Sequence, residues 1–188
     1  MQKNLNKKGF TIIELLVSTT IMMLVLIIVA SAFILNQKVF RLGNTQAELT
    51  QNARITIDLM SREIRQANNI VTTIPSDNSV PELVPHEIEF EDGHVTSQIQ
   101  YVRYYLDSTD LRRQIIIYYF DSNPSTYVRW DDTDPFGGPN ESTIEDKLIG
   151  EFFTGIDFYG PDAITIDVFL EKNNIDIDMQ TVINPRNS

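Results

Sequence analysis

The sequence contains no cysteine, so no disulfide can staple any part of this 188-residue chain. It has only two histidines, His86 and His94, and both flank short apolar-alternating stretches. With no cysteine and so little histidine, there is no zinc spacing and no thiol nucleophile. There is also no glycine-rich phosphate loop and no nucleophile elbow. Catalysis is therefore not expected, and His86 and His94 read as surface or strand-end residues. Proline is absent before Pro75, so nothing in the first 74 residues forces a helix to break. Tryptophan occurs once, at Trp130. Positive charge is scarce: 15 Lys and Arg stand against 26 Asp and Glu, for a net charge of −11. Such an acidic chain lacks the broad basic surface that phosphate backbones require, so nucleic acid is an unlikely direct partner.

The most conspicuous absence is charge between Phe10 and Leu35. This apolar run of 26 residues carries one formal charge, Glu14. A hydrocarbon core needs about 20 apolar residues in a helix, and a signal-peptide core only roughly 7 to 15, so the run is long enough to span a bilayer. Lys3, Lys7 and Lys8 precede it with no acid among them. The positive-inside rule then puts Met1–Gly9 in the cytoplasm and the rest of the chain beyond the membrane. A carboxylate in such a segment costs about 2.5 to 3.5 kcal/mol on insertion scales, which makes Glu14 the residue to explain. It either snorkels to the headgroups or has a specific partner.

Lys7-Lys8-Gly9-Phe10-Thr11-Ile12-Ile13-Glu14-Leu15-Leu16-Val17 resembles the class III signal of type IV pilins and pseudopilins. The resemblance implies cleavage by a prepilin peptidase between Gly9 and Phe10, with Lys7 and Lys8 in the leader. It implies N-methylation of Phe10 and use of Glu14 in assembly, against the cationic amine of a neighbouring subunit's Phe10. In a low-dielectric helix bundle such a pair is strong enough to set register. The implied partners are other pilins or pseudopilins, the peptidase, an inner-membrane assembly platform and membrane lipid; no cofactor is implied. The implied location is the inner membrane, single-pass with the N-terminus inside, then a pilus or pseudopilus. Major pilins often carry a C-terminal disulfide and a proline in the apolar half. This chain has neither, which fits a minor pilin or minor pseudopilin.

The expected fold is α+β: a long N-terminal helix packed on an antiparallel β-sheet. The expected organisation is a leader over 1–9, an assembly helix over 10–35, an amphipathic half over 36–69 and an exported sheet domain over 70–188. Val39, Leu42, Leu49, Ala53, Ile57, Met60, Ile64 and Ala67 recur at helical spacings on one face. Arg54, Asp58 and Arg62 lie on another, and Gly43 is a candidate kink. A helix from Phe10 to about Asn69 is roughly 90 Å long. Pro75, Pro81 and Pro85 mark a loop. Strands are expected over 87–91 (Ile88 and Phe90 inward), 95–106 (Ile99, Tyr101 and Tyr105 inward), 112–120, 147–159, 163–170 and 175–183. Asp92-Gly93 reads as a tight hairpin turn, and turns are also expected at 107–110, 160–162 and 172–174. Residues 121–146, with three prolines and the run Asp131-Asp132-Thr133-Asp134, read as a variable loop. Asp131, Asp132 and Asp134 are where a calcium ion would bind, but their spacing does not match an EF-hand, and no metal is expected. This layout resembles the larger minor pilins and the J-type minor pseudopilins of type II secretion.

A second reading is a secreted or membrane-anchored binding domain with no filament role. Ala30-Ser31-Ala32 offers an ordinary signal-peptidase pattern, which would start the product at Phe33. Glu14 inside the apolar core and the length of the run argue against it.

Overall fold

The computed structural model describes residues 11–94, 98–160 and 162–185. It is an α+β arrangement, one long N-terminal helix with antiparallel β-sheets packed on it. Helix α1 runs Ile12–Gln66 without interruption, including through Gly43. The chain divides into two compact units, Met1–Asn44 and Thr45–Ser188. In the first, the described residues belong to α1 apart from Thr11. In the second, the remainder of α1 supplies one wall of the core.

That wall is the stripe expected from spacing. Leu49, Ala53, Ile57, Met60, Ile64 and Ala67 are all buried, and Thr56 and Ser61 extend it. Each large apolar side chain here contributes roughly 1.5 to 3 kcal/mol by leaving water. Val39 and Leu42 belong to the same helical pattern but are exposed.

Two sheets oppose the helix, where the sequence pointed to one. The first contains β1 (Asn69–Ile70), β2 (Ile88–Glu91), β3 (Tyr101–Asp107), β4 (Asp110–Phe120), β5 (Asn123–Val128) and β6 (Asn140–Gly150), with β6 also paired to β4. The second is the meander β7 (Phe153–Tyr159), β8 (Ile164–Lys172) and β9 (Ile175–Ile183). The span 147–159 is therefore two strands. The chain leaves the first sheet at Gly150, turns at Phe152 (φ 69°) and enters the second at Phe153. The Phe153 N–H donates to the Thr109 carbonyl and the Glu171 N–H to the Phe152 carbonyl, both at 2.9 Å, fixing the crossing.

The core faces of β7 and β8 follow simple alternation: Ile156, Phe158, Ile164, Ile166, Val168 and Leu170 are buried. In β3 the face is the opposite of the expected one. Val102 and Tyr104 point to the core with Ile88, Phe90 and Leu111, and Leu106 packs against them. A shift of one residue exchanges the two faces of a strand, and a run with tyrosines at 101, 104 and 105 does not fix the phase by itself. Tyr101 is nonetheless buried, on the far face, edge-on to Tyr118 at 5.1 Å. Burial pushes its phenol up to about 12.

That far face carries a layer of charge. Arg103 donates to Glu89 at 2.7 and 2.9 Å and to Glu141 at 2.9 Å, and Tyr118 donates to Glu89 at 2.7 Å. Arg112 donates to Asp146 at 2.8 Å. These contacts explain β6 and correct the expected loop over 121–146, which holds both β5 and β6. β6 has almost no buried side, so it shows no apolar alternation; it is held by its backbone ladder to β4 and by Glu141 and Asp146. Pro124 is tolerated because β5 pairs with β4 only through a few residues, as an edge strand can.

Among the described residues, ion pairs cross from helix to sheet at Glu48–Lys172 and, more deeply enclosed, at Glu63–Arg113. Glu63 accepts from Arg113 Nε at 2.9 Å and from the Tyr104 hydroxyl at 2.5 Å. Both charges are about 15% exposed. Removing one partner of so enclosed a pair costs about 3 kcal/mol.

Asp92-Gly93 is not a tight hairpin turn, since Glu91 pairs with Tyr101 and the connection spans 92–100. Gly93 instead lies against the end of α1: a Cβ there would stand 1.8 Å from the Gln66 carbonyl oxygen. The glycine is needed for close approach, not for a turn. Turns at Ser108-Thr109 and Asn173-Asn174 are present; Ser108 (φ 60°), Asn173 (φ 54°) and Asn174 (φ 60°) take left-handed conformations there.

Gly93→Ala is expected to destabilise the protein by about 2 kcal/mol through forced displacement at the α1 terminus. Gly138→Ala, where a Cβ meets nothing within 4 Å, is expected to stay within about 0.5 kcal/mol of the parent. Chemical denaturation of both variants in detergent checks the contrast.

Candidate assembly site

The first described residue, Thr11, begins the site. Its backbone N–H donates to Glu14 Oε2 at 2.9 Å and its hydroxyl donates to the same oxygen at 3.0 Å. The Glu14 N–H lies 3.3 Å from Thr11 Oγ. This is a reciprocal capping box, T-x-x-E, which satisfies amide donors that the first helical turn would otherwise leave bare. Glu14 also stands at the positive end of the helix dipole, where a carboxylate is favoured. The lone acid of the apolar run thus has a partner inside its own chain. The sequence signal for this was the Thr11-Ile12-Ile13-Glu14 spacing; attention to the charge alone passes over it.

Along α1 from Ile12 to Leu35 the large apolar side chains are all more than half exposed in the isolated chain. The polar side chains among them are neutralised locally. Ser18 donates to the Glu14 carbonyl at 2.7 Å, Thr19 and Thr20 to the Leu16 carbonyl at 3.0 and 2.5 Å, and Ser31 to the Ile27 carbonyl at 2.8 Å. With these hydroxyls turned onto the backbone, the segment presents a nearly continuous apolar surface. α1 is long and apolar enough to cross a membrane.

Lys7, Lys8, Gly9 and Phe10 lie outside the described residues, so the proposed cleavage point and the Phe10 amine have no described geometry. Glu14 is exposed and reachable in the single chain.

The remaining candidates do not converge. Asp132 accepts from the Arg129 N–H at 2.7 Å. Asp134 accepts from the Phe136 and Gly137 N–H groups at 2.7 and 3.0 Å and from the Ser122 hydroxyl at 3.3 Å. These carboxylates shape their own loop, and Asp131 is exposed beside them. Among the described residues no group of three or more His, Asp or Glu side chains could hold a metal ion. His86 contacts Asp157 at 2.9 Å and His94 contacts Asp92 at 3.2 Å, both at the surface. Trp130 is partly exposed, and its N–H of the backbone donates to the Tyr101 hydroxyl at 3.2 Å.

Comparison with known families finds one pertinent match: the family model for the prokaryotic N-terminal methylation motif covers residues 4–30. It spans Lys7, Lys8, Gly9-Phe10 and the capping box. No curated protein matches the chain.

Thr11→Val keeps the shape of the side chain but removes the hydroxyl. It is expected to weaken the start of α1 by about 1 kcal/mol, read as faster amide hydrogen exchange over residues 12–15 in micelles. Exchange over 49–64 should remain as in the parent.

Proposed function

We propose that the chain is a type IV pilin-like protein, and within that class a minor pilin or minor pseudopilin, a structural subunit with no catalytic role of its own. The observation that carries the proposal is Glu14 in the first turn of α1, the one charge between Ile12 and Leu35, inside a matched methylation motif. On this reading prepilin peptidase cuts between Gly9 and Phe10 and Phe10 is N-methylated. The apolar run from Phe10 to Leu35 holds the subunit in the inner membrane, with the leader in the cytoplasm and residues 70–188 on the far side. It then passes into a filament, at a pilus or a type II secretion pseudopilus, through an inner-membrane assembly platform.

The chemistry of the step is the addition of a charged partner to an acid already capped within its own chain. In the lone subunit, Thr11 already satisfies the carboxylate. Its oxygens have lone pairs to spare, so a neighbour's cationic Phe10 amine can join without first stripping the acid of all its hydrogen bonds. A charge-assisted bond formed in an apolar surrounding is roughly twice as strong as a neutral one. Helix packing supplies the bulk of the attraction, and the pair selects the axial offset at which helices lock.

Mass spectrometry of the chain from cells with the processing machinery is expected to find N-methyl-Phe10 as the first residue. A start at Phe33 would instead mark a secreted protein, and an uncut Met1 a plain anchor. Glu14→Ala is expected to enter the membrane normally yet to be lost from sheared filaments or pseudopili. Its undiminished presence there would overturn the role given to Glu14.

A further inference from the structure

The edge of a sheet leaves a row of backbone N–H and C=O groups without partners, and folded proteins blunt such edges. Most edges here are blunted. β1 has only two residues. β5 carries Pro124, and its ladder is broken at Phe120. β6 is irregular opposite Leu111–Arg112 and Ile115–Ile116 and carries the exposed Lys147. At β7 the Phe158 N–H donates to the Pro85 carbonyl at 3.2 Å, and just beyond it the Gly160 N–H donates to the Pro75 carbonyl at 2.7 Å, so the proline-rich loop covers that edge. β9 differs. It runs nine residues in unbroken register with β8, without proline, glycine, lysine or bulge. Its other side makes no backbone hydrogen bond among the described residues.

The two faces of this open edge differ in chemistry. On the core face Ile175, Ile177 and Met179 are only partly buried, whereas the β8 residues on the same face are buried. The core is unfinished along β9, and one more strand would complete it. At Thr181 the same face opens into a groove of about 460 Å³, walled on the other side by Asp58, Ser61, Arg62 and Arg65 of α1. Arg54, Asp58, Arg62 and Arg65 follow one another at spacings of four and three, so they share one flank of the helix. The three arginines make no ion pair among the described residues, and Asp58 is the one acid in the row. On the far face β9 presents Asp176 and Asp178, both exposed. We propose that the β9 edge accepts an extended strand from a different protein. That strand bears acids on its helix-facing side near Thr181, apolar side chains beyond them, and basic or neutral side chains opposite Asp176 and Asp178. Main-chain hydrogen bonds supply affinity, and the alternating side chains supply specificity. A second copy of this chain does not fit: joining β9 to β9 sets two arginine flanks side by side, and the helix-facing residues of β9 include no acid. A contact between unlike chains ends where it forms, in keeping with a minor subunit, but neither the leader nor Glu14 enters the inference.

The probe is the capped peptide Glu-Thr-Glu-Thr-Val-Lys-Ile-Lys-Val. Laid antiparallel on β9, it sets its glutamates opposite Ile183 and Thr181 and its lysines opposite Asp178 and Asp176. With the full-length chain in micelles and the peptide at millimolar concentration, amide hydrogen exchange at alternate residues of 175–183 is expected to slow roughly tenfold, while 164–172 stays as it was. A proline in place of the peptide's central valine should abolish the protection. Arg62→Glu with Arg65→Glu should weaken binding roughly tenfold, and a peptide with lysines for both glutamates should then bind that variant better than the parent. Should the variant fold poorly, seen as faster exchange over 49–64, the lysine peptide on the parent chain decides the same point, with roughly tenfold weaker binding expected. No protection of 175–183 by this peptide or by its reverse sequence overturns the proposal. Protection that survives the proline, or that ignores the charge reversals, overturns it as well. Protection that rises with protein concentration in the absence of peptide would give the edge to a second copy and overturn the choice of partner.

Discussion

One helix has to suit two different solvents, and the rest of the structure follows from how it does so. Over Ile12–Leu35, α1 is apolar on every side and its hydroxyls are folded onto carbonyls of the preceding turn. Over Leu49–Ala67 it is apolar only on one stripe, and its other faces carry arginine, aspartate and glutamate. A helix apolar all round needs lipid or other helices about it, whereas a striped helix needs a sheet. The change of pattern therefore dictates where the β-structure can pack. The two sheets cover the stripe, with the Glu63–Arg113 pair and the Tyr104 hydroxyl fixing the rotation of the helix against the first of them.

The same division of solvents explains the placement of charge. In the second unit, charges are numerous and are paired across strands: Glu89 with Arg103, Arg103 with Glu141, Arg112 with Asp146. The more exposed of these pairs are each worth little, but a contiguous layer over the buried Tyr101, anchored by the buried Glu89, fixes strand register. In the apolar half one acid stands where such layering is impossible. Its position in the first turn resolves the difficulty, because the free amides there are the one place on a helix where a carboxylate finds donors without a second side chain of opposite charge. Glu14 can thus be retained in an apolar segment at tolerable cost and still be available to a stronger partner.

Much of this was legible in the residues. The stripe from Leu49 to Ala67 and the alternation from Ile164 to Leu170 are long, strictly periodic patterns, and the buried positions fall on them. Asn173-Asn174 marks a turn because asparagine is one of the few residue types that accept positive φ, and the polar run Asp107–Asp110 marks the turn at Ser108. What could not be read has a common cause. β6 has no buried face, so hydrophobic periodicity is silent about it; its evidence lies in long-range pairs such as Arg112 with Asp146, which sequence spacing does not reveal. In β3 both faces are covered, one by the helix and one by the tyrosine and charge layer, so alternation left the phase open. Gly93 next to Asp92 has the composition of a turn, but its reason is the Gln66 carbonyl beside it. At the N-terminus the balance is reversed. The motif over 4–30 is explicit in sequence, as is the T-x-x-E box, although the box is easily overlooked when Glu14 is considered only as a charge.

A subunit held by its helix alone would be poorly specified in rotation. Apolar helices slide and turn against one another at little cost, because lipid is as good a neighbour as leucine. The Phe10 and Glu14 pairing of the proposed assembly defines one distance along the axis but leaves the angle about it loosely set. A second contact, in water between the folded units of neighbouring subunits, would remove that freedom, because charged and polar patches fix an orientation that apolar helices leave open.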